Sequence, residues 1–439
     1  MIAIVESRAD RASVHVCDYL RELVDWERRG DDTRPDGEGG STWYRTDGAE
    51  LRSFDDLHIE LERPADAFEG DPDLLVFASR HSGGTGPLLT GHFTGNFGPA
   101  EFGGDDGELA ATCPNALATL LESFDEYAPA DYDVGMECTH HGPTDVGVPS
   151  LFAELGSDDE QWNDPAGAEA VARAILDLRD VAPHRDEQVV GFGGNHYAPR
   201  FTRIVRETPW AVGHVAADWA LEAMAHPETE RDVLAAAFEE SDADCAVIDG
   251  EYPTLERVLD ALGYEVVSET WLREVGDRPR SLVTAIEDEL GTVDDGVRFG
   301  SERSEPFTVV DLPVKLVETA EGIDPDEVWA ILENRTVAFT TRNGASRVGD
   351  RAAVPGEEVL QGVVADLAAI LECKYDTVAI EDDAVVVSET AFDPKRAREL
   401  GVSEGPAFGR LTSGDTVTVD GRTVAPEDVH VDRTHRFPV

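Results

Sequence analysis

Seven of the 12 histidines fall between His81 and His214, and most of them stand within two residues of a glycine. Imidazole serves as metal ligand and as proton acceptor near neutral pH, so glycine-flanked histidines at strand ends point to catalysis or metal binding. In α/β sheets the carboxyl ends of the strands are where ligands settle. The first group, Arg80-His81-Ser82-Gly83-Gly84-Thr85, follows the apolar run Leu74–Ala78. Its glycines let the backbone approach a phosphate or an ester oxyanion; the plainer alternative is a tight turn with an exposed histidine. The second, around His92 and Asn96, offers polar groups and aromatics for a base or a side chain, or else a glycine-rich lid. The third, Glu137-Cys138-Thr139-His140-His141-Gly142-Pro143, is the strongest metal candidate. Adjacent side chains on extended backbone point oppositely, so both rings share a site only if the chain turns between them, as His-His-Gly-Pro permits. Glu137 there suits a ligand, an orienter of ligands or a general base.

Two further groups repeat the theme. Gly191 to Arg200 contains Asn195, His196 and Arg200 after another apolar run. His214 and Asp218, four residues apart at an expected helix start, could meet one ion; alternatively they are a cap partner and a solvated charge.

The elements that must position these residues are those of an α/β fold. Strand-like runs at Ile2–Val5, Leu57–Leu61, Leu74–Ala78, Tyr132–Cys138, Gln188–Phe192 and Cys245–Ile248 alternate with helical patterns at Ala9–Glu27, Cys113–Tyr127, Ala166–Val181 and Val215–Met224. Such alternation predicts a three-layer domain with a mixed, largely parallel sheet over residues 1–274, carrying an acidic surface insertion at about 29–50. Residues 275–439 lack the glycine–histidine clusters and read as a smaller α+β accessory domain, with a hairpin through Asp420-Gly421. Acidic residues number 91 against 36 basic ones, a net charge of −55 spread along the whole chain, and lysine occurs only at Lys315, Lys374 and Lys395. A surface so charged repels itself in dilute buffer and is relieved by multimolar salt, the signature of halophilic adaptation. Five scattered cysteines do not make a disulfide framework. No apolar run approaches the roughly 20 residues of a membrane span, and charge arrives too early for a signal peptide, so the expected place is the cytoplasm.

Taken in order, Ser79-Arg80-His81-Ser82-Gly83, Thr90-Gly91-His92-Phe93-Thr94-Gly95-Asn96, Glu137 to Thr144, Gly191 to Arg200 and Gly213-His214-Val215-Ala216 resemble the archaeal-type D-aminoacyl-tRNA deacylases, a family shared with plants. The resemblance covers roughly the first 270 residues and not the second domain. It implies a fold related to phosphorylases and peptidyl-tRNA hydrolase, zinc dependence with one ion or two, and hydrolysis of the ester of D-aminoacyl-tRNA. On that basis His140, His141, His196, His214 and Asp218 are the expected metal ligands. Glu137, His140, His81 and His92 are the expected catalytic groups. Arg80, Gly83, Gly84, Thr85, Asn96, Asn195 and Arg200 are expected to hold substrate. Nothing requires a protein partner, and a monomer is expected. The competing readings are a zinc hydrolase or phosphorylase-fold enzyme acting on a small nucleoside or peptide, and a non-catalytic tRNA- or metal-binding module.

A surface of this charge also fixes a salt dependence. Activity should persist in molar KCl and fail in dilute buffer, whereas loss above about 0.5 M salt, where phosphate contacts are largely screened, would contradict the reading.

Overall fold

The computed structural model describes residues 1–276 and 278–439. It forms two compact units, Met1–Asp277 and Arg278–Val439. In the first unit the strands are β1 (Ile2–Ser7), β2 (Glu27–Asp31), β3 (Ser41–Thr46), β4 (Ala49–Phe54), β5 (Leu74–Arg80), β6 (Leu88–His92), β7 (Asp133–Met136), β8 (Ser150–Gly156), β9 (Gln188–Gly193), β10 (Ala211–Ala216), β11 (Cys245–Asp249) and β12 (Glu265–Val266). The helices are α1 (Arg11–Leu23), α2 (Pro114–Tyr127), α3 (Asp159–Trp162), α4 (Pro165–Asp177), α5 (Pro199–Glu207), α6 (Asp218–Ala223), α7 (Arg231–Glu239), α8 (Pro253–Leu262) and α9 (Glu269–Val275).

Two sheets organise this unit. The larger runs β2-β3-β4-β1-β5-β8-β6-β7 and the smaller β10-β9-β11-β12. The core pairings β4–β1, β1–β5 and β5–β8 are parallel, as is β6–β7, while β8–β6 and the β2–β3–β4 ribbon are antiparallel. The smaller sheet is parallel throughout. Strands β1, β4 and β8 are buried along their whole length; β1 and β8 accordingly are mainly apolar, whereas β4 alternates and buries Glu50 and Arg52. Strand β6 shows which face matters. A Cβ added at Gly91 would meet Leu117 and Leu120 of α2 at 2.7 and 2.9 Å. Helix α2 therefore lies tight on that face, and Leu88, Thr90 and His92 point to the other.

Three expectations change. Leu57–Leu61 is a 3-10 turn over His58–Glu60, because its buried residues, His58 and Leu61, are three apart and not two. Residues 29–50, expected as an acidic surface insertion, lie at the surface but about half of them form strands: β2 and β3 extend the large sheet, and Trp43, 1% exposed, packs under the guanidinium of Arg52 at 4.5 Å. Arg52 is itself fully buried, donating to Asp31 at 2.9 Å and to the Gly39 carbonyl at 2.8 Å. The stretch expected as helix at Val215–Met224 divides, with β10 running to Ala216 and α6 beginning at Asp218.

The second unit carries an antiparallel sheet of Val297–Phe299, Ala338–Arg342, Arg347–Val354 and Thr308–Asp311 and a three-stranded one of Thr377–Glu381, Ala384–Phe392 and His430–Pro438. A hairpin joins Val417–Val419 to Arg422–Val424 through Asp420-Gly421. Helices Val314–Glu321, Pro325–Arg335 and Glu358–Leu371 close its main core. Among the described residues no helix is long and apolar enough to cross a membrane.

Trp43 anchors the ribbon to the sheet, so Trp43→Ala should cost about 3–5 kcal/mol, read as a lower denaturation midpoint in high-salt urea titrations.

Candidate active site

The centre is built on one stretch of chain, Glu137 to Gly142, which leaves the end of β7 and ties the two sheets together. The Glu137 N–H donates to Gly91 O at 3.0 Å, Cys138 N–H to His196 O at 2.8 Å, and Thr139 N–H to Val215 O at 2.8 Å. At His141 the backbone turns left-handed, with φ of 46°, and this brings His140 and His141 to the same side, ring centroids 4.4 Å apart. Gly142 is required by close approach, since a Cβ there would lie 2.4 Å from the backbone of Gly103 and Gly104.

His92, from the end of β6, joins this pair at 4.2 Å from His140 and 4.9 Å from His141. The hydrogen bonds of the three rings fix their tautomers. Nδ1 of His92 faces Phe93 O at 3.0 Å, Nδ1 of His140 faces Cys138 O at 2.8 Å, and Nδ1 of His141 faces Gly142 O at 2.7 Å. A carbonyl only accepts, so each Nδ1 carries a proton and each neutral ring keeps its lone pair on Nε2. Burial holds His140 well below the ordinary imidazole range and lowers His141 to about 3. Candidate donor atoms of the three residues lie within 4.8 Å of one another. His92 Nε2 has no hydrogen-bond partner and stands 3.5 Å from Glu154 Oε1. Burial raises the Glu154 carboxyl to about 7; at His92 burial works downward, but Glu154 outweighs it and the ring is raised. Both shifts favour protonation of the pair, and a cation on Nε2 would compete with that proton. A trio of imidazoles, His92 buried and His140 and His141 partly so, each oriented by a backbone acceptor, fits a borderline-soft divalent metal.

Beside the trio stands Glu137, 1% exposed. His196 Nε2 donates to its Oε2 at 2.7 Å, and His140 Nε2 is 3.7 Å from the same oxygen. Burial raises this carboxyl, but the His196 hydrogen bond and the surrounding rings prevail and lower it to about 2. Correspondingly, burial lowers His196, whereas Cys138 and Glu137 raise it to about 10, so the two form an ion pair. The other oxygen, Oε1, is buried and unpaired, 3.7 Å from His81 Nε2. Ser157 settles the state of His81. Its hydroxyl donates to Gly86 O at 2.7 Å, so His81 Nδ1 must donate to Ser157 Oγ at 2.9 Å. Burial keeps His81 below its usual range, and its Nε2 lone pair faces Glu137. Ser157, with its proton committed, is not placed as a nucleophile. A second donor group is formed by Cys138, His140 and His196. It is the poorer one, because both His196 nitrogens are already engaged, with Glu137 and with Cys138 Sγ at 3.5 Å.

Several expected residues are elsewhere. His214 is on β10, fully buried, and both nitrogens are spent: Nε2 donates to Ala110 O at 2.9 Å and Nδ1 pairs with Thr139 Oγ1 at 2.9 Å. It orients the segment and offers no lone pair to an ion. Asp218 begins α6 and accepts from the Tyr252 hydroxyl at 2.7 Å, so a strand end separates it from the helical spacing expected with His214. Arg200 is held by the Ile248 carbonyl, Asp249 and Glu269, and Asn195 accepts from Tyr197 N–H within its own turn. Asn96 pins the Gly103 and Asp105 carbonyls. Gly83 N–H is committed to Ser157 O, while Gly84 and Thr85 remain exposed beside His81, and the Arg80 guanidinium lies 5.3 Å over Trp162. Sequence reasoning missed Glu154, Ser157 and Cys138. Glu154 had a legible signal, a lone carboxylate inside the apolar run Ser150–Gly156.

An imidazole cluster backed by buried carboxylates, at the ends of α/β strands, is of the kind hydrolases use to activate water. The comparisons place it further. The profile of the D-aminoacyl-tRNA deacylase family matches residues 68–267. The chain is 53% identical to the D-aminoacyl-tRNA deacylase of Halorubrum lacusprofundi over 100% of its own length and 97% of the relative's. To that of Natronomonas pharaonis it is 53% identical with both chains fully covered, and to that of Methanococcoides burtonii 32% over 99% and 95%. A solved structure described as a conserved protein of unknown function, AF0625, superposes with a TM-score of 0.55 at 29% identity, covering 62% of this chain and 96% of that one. The chain belongs to the D-aminoacyl-tRNA deacylase family.

Because His214 braces the centre without entering it, His214→Ala should lower stability by about 2–4 kcal/mol through its lost volume, an unpaired Ala110 carbonyl and an unpaired Thr139 hydroxyl. Thermal unfolding in molar KCl measures this.

Proposed function

We propose that the protein hydrolyses the ester of D-aminoacyl-tRNA, releasing the D-amino acid and tRNA, with zinc held by His92, His140 and His141. The clustering of three imidazoles, with candidate donor atoms within 4.8 Å of one another and each Nδ1 engaged by a backbone carbonyl, beside a buried carboxylate carries this reading. When bound, zinc supplies Lewis acidity that polarises an ester carbonyl and makes water nucleophilic near neutral pH.

The chain's own residues do the rest. His196 locks Glu137 Oε2, leaving Oε1 and His81 Nε2 as adjacent proton acceptors facing one point. They take the proton of the attacking water and return it to the 3′ or 2′ oxygen of the departing ribose. Ser157 positions His81 by accepting a hydrogen bond from its Nδ1–H, and Glu154 stands behind His92. Gly84 and Thr85 flank the acceptor pair, where a developing oxyanion or the terminal ribose would lie. On this reading the first unit is the catalytic domain, its sheet is akin to those of phosphorylases and peptidyl-tRNA hydrolase, and the enzyme works in the cytoplasm as a monomer.

The decisive experiment is deacylation of D-tyrosyl-tRNA and L-tyrosyl-tRNA, with and without prior chelation. Hydrolysis of the D-ester alone, lost on chelation and restored by zinc, is expected. His92→Ala, His140→Ala and His141→Ala should each lose bound zinc by elemental analysis and about a hundredfold or more in kcat/KM, while His214→Ala keeps its zinc. Full activity of the chelated, dialysed enzyme would refute the metal assignment; equal hydrolysis of both esters would refute the stereochemical one.

A further inference from the structure

A cleft of about 480 Å³ opens beside the centre, and none of the residues assigned above to metal or proton transfer lines it. Its floor is the face of β6 and β7 that also carries the active groups. In the register of these strands Thr90 pairs with Gly135. His92 follows two residues after Thr90, and Glu137 two residues after Gly135, so on each strand the cleft residue lies one step before the functional one on the same face. Thr85 and Tyr197 form the boundary between cleft and centre: Thr85 Oγ1 is 2.5 Å from Ser157 Oγ, and the Tyr197 ring is 5.9 Å from that of His81.

The chemistry of the cleft selects its occupant. Its walls are largely apolar, with Leu88, Val134, Met136 and Pro199 among them. Thr90 Oγ1, on a residue 1% exposed, has no hydrogen-bond partner, while Thr202 Oγ1 is used by Met136 N–H at 3.1 Å. Cations at the rim are already neutralised, Arg203 by Glu269 at 2.7 Å and Arg206 by Asp125, and the rim also bears Asp133 and Glu207. Such a rim disfavours a phosphate. An adenine presents several polar edge atoms and would leave most of them unpaired here. A large, mainly apolar group with one polar atom matches instead. We infer that this cleft receives the side chain of the aminoacyl group, that the missing side chain at Gly135 makes room for an aromatic ring, and that Thr90 Oγ1 pairs with a hydroxyl on it.

This inference rests on the proposed ester hydrolysis for its substrate, but it is tested by binding as well as turnover. A Cβ at Gly135 would meet nothing nearer than Thr202 Oγ1 at 3.5 Å, so Gly135→Leu fills the cleft without a backbone clash. With the full-length enzyme in molar KCl, Gly135→Leu should lower the ratio of kcat/KM for D-tyrosyl-tRNA over D-alanyl-tRNA by about tenfold or more. Thr90→Val, which keeps the shape and removes the hydroxyl, should lower the ratio for D-tyrosyl-tRNA over D-phenylalanyl-tRNA by about three- to tenfold. Equal losses on the large and small substrates would mean that the cleft holds the adenosine common to both, and would overturn the inference, as would unchanged ratios. Calorimetric titration with p-cresol and toluene gives a readout independent of catalysis. The wild type should bind p-cresol more tightly than toluene, Thr90→Val should bind them alike, and Gly135→Leu should bind neither. A wild type that binds p-cresol but hydrolyses no D-ester would refute the proposed reaction and leave the cleft assignment standing. Competition by adenosine alone, with no p-cresol binding, would refute the cleft.

Discussion

Three backbone carbonyls, those of Phe93, Cys138 and Gly142, decide what this centre can do. Each accepts a hydrogen bond from the Nδ1–H of one imidazole, and so leaves the lone pair of the neutral ring on Nε2. Without those acceptors the same rings could flip or change tautomer, and burial would leave donors aimed at donors. The constraint is local in the chain for His140 and His141, since their acceptors are one or two residues away. For His92 it is equally local, but the ring also sits against Glu154 from the neighbouring strand. A buried carboxylate next to a buried ring is costly unless a proton or a cation lies between them. The need for positive charge is therefore built into the sheet before any ligand arrives.

Glu137 shows the same economy in the opposite sense. One oxygen is saturated by His196 and the other is left open toward His81. The ion pair with His196 keeps the carboxylate ionised despite complete burial, and His81 stays neutral because burial outweighs the nearby negative charge. What holds the arrangement is the backbone stitching of Glu137, Cys138 and Thr139 to Gly91, His196 and Val215. His214 reinforces it from behind: its ring ties Thr139 on the stitched segment to Ala110, a residue of the chain before α2. A histidine that touches no reactant can thus be as necessary to the geometry as one that does.

The glycine-flanked histidines were legible in the sequence because the reason for each glycine, close backbone approach or a turn, operates within a few residues. So were the runs at Leu74–Ala78, Gln188–Phe192 and Cys245–Ile248, whose near-complete burial leaves them few polar residues. What was not legible depends on partners far apart in sequence. Nothing near His214 reveals that Ala110 and Thr139 will occupy its nitrogens, and nothing near Arg200 reveals Glu269. His92 read as a pocket or catalytic residue and not as a metal ligand, because its companions His140 and His141 lie almost fifty positions away. Strand β8 escaped notice although its Glu154 was the clue, a carboxylate that an apolar run tolerates only when something pairs with it. The strand pairing of β2 and β3 was hidden for a related reason: their charged residues do face solvent, and what ties them to the sheet is Trp43 against Arg52 of β4, itself held by Phe68, Asp31 and a backbone carbonyl.

The charge of the molecule imposes the last constraint. With a net charge of −55 and the arginines around the cleft already paired to Glu269, Asp125 and Asp249, little cationic surface is left near the centre to hold a phosphate backbone. At multimolar salt the screening length falls to about 3 Å or less, so long-range attraction to RNA would be lost even if arginines were free. Contacts of hydrogen-bond length survive such screening, and so does the burial of apolar surface, which salting-out ions strengthen. Selectivity in this setting must therefore come from what lies within reach of the reacting ester: the oriented lone pairs, the open carboxylate oxygen and the shape of the adjoining cleft. The acidic surface then ceases to be a paradox, because the energy of recognition no longer depends on it.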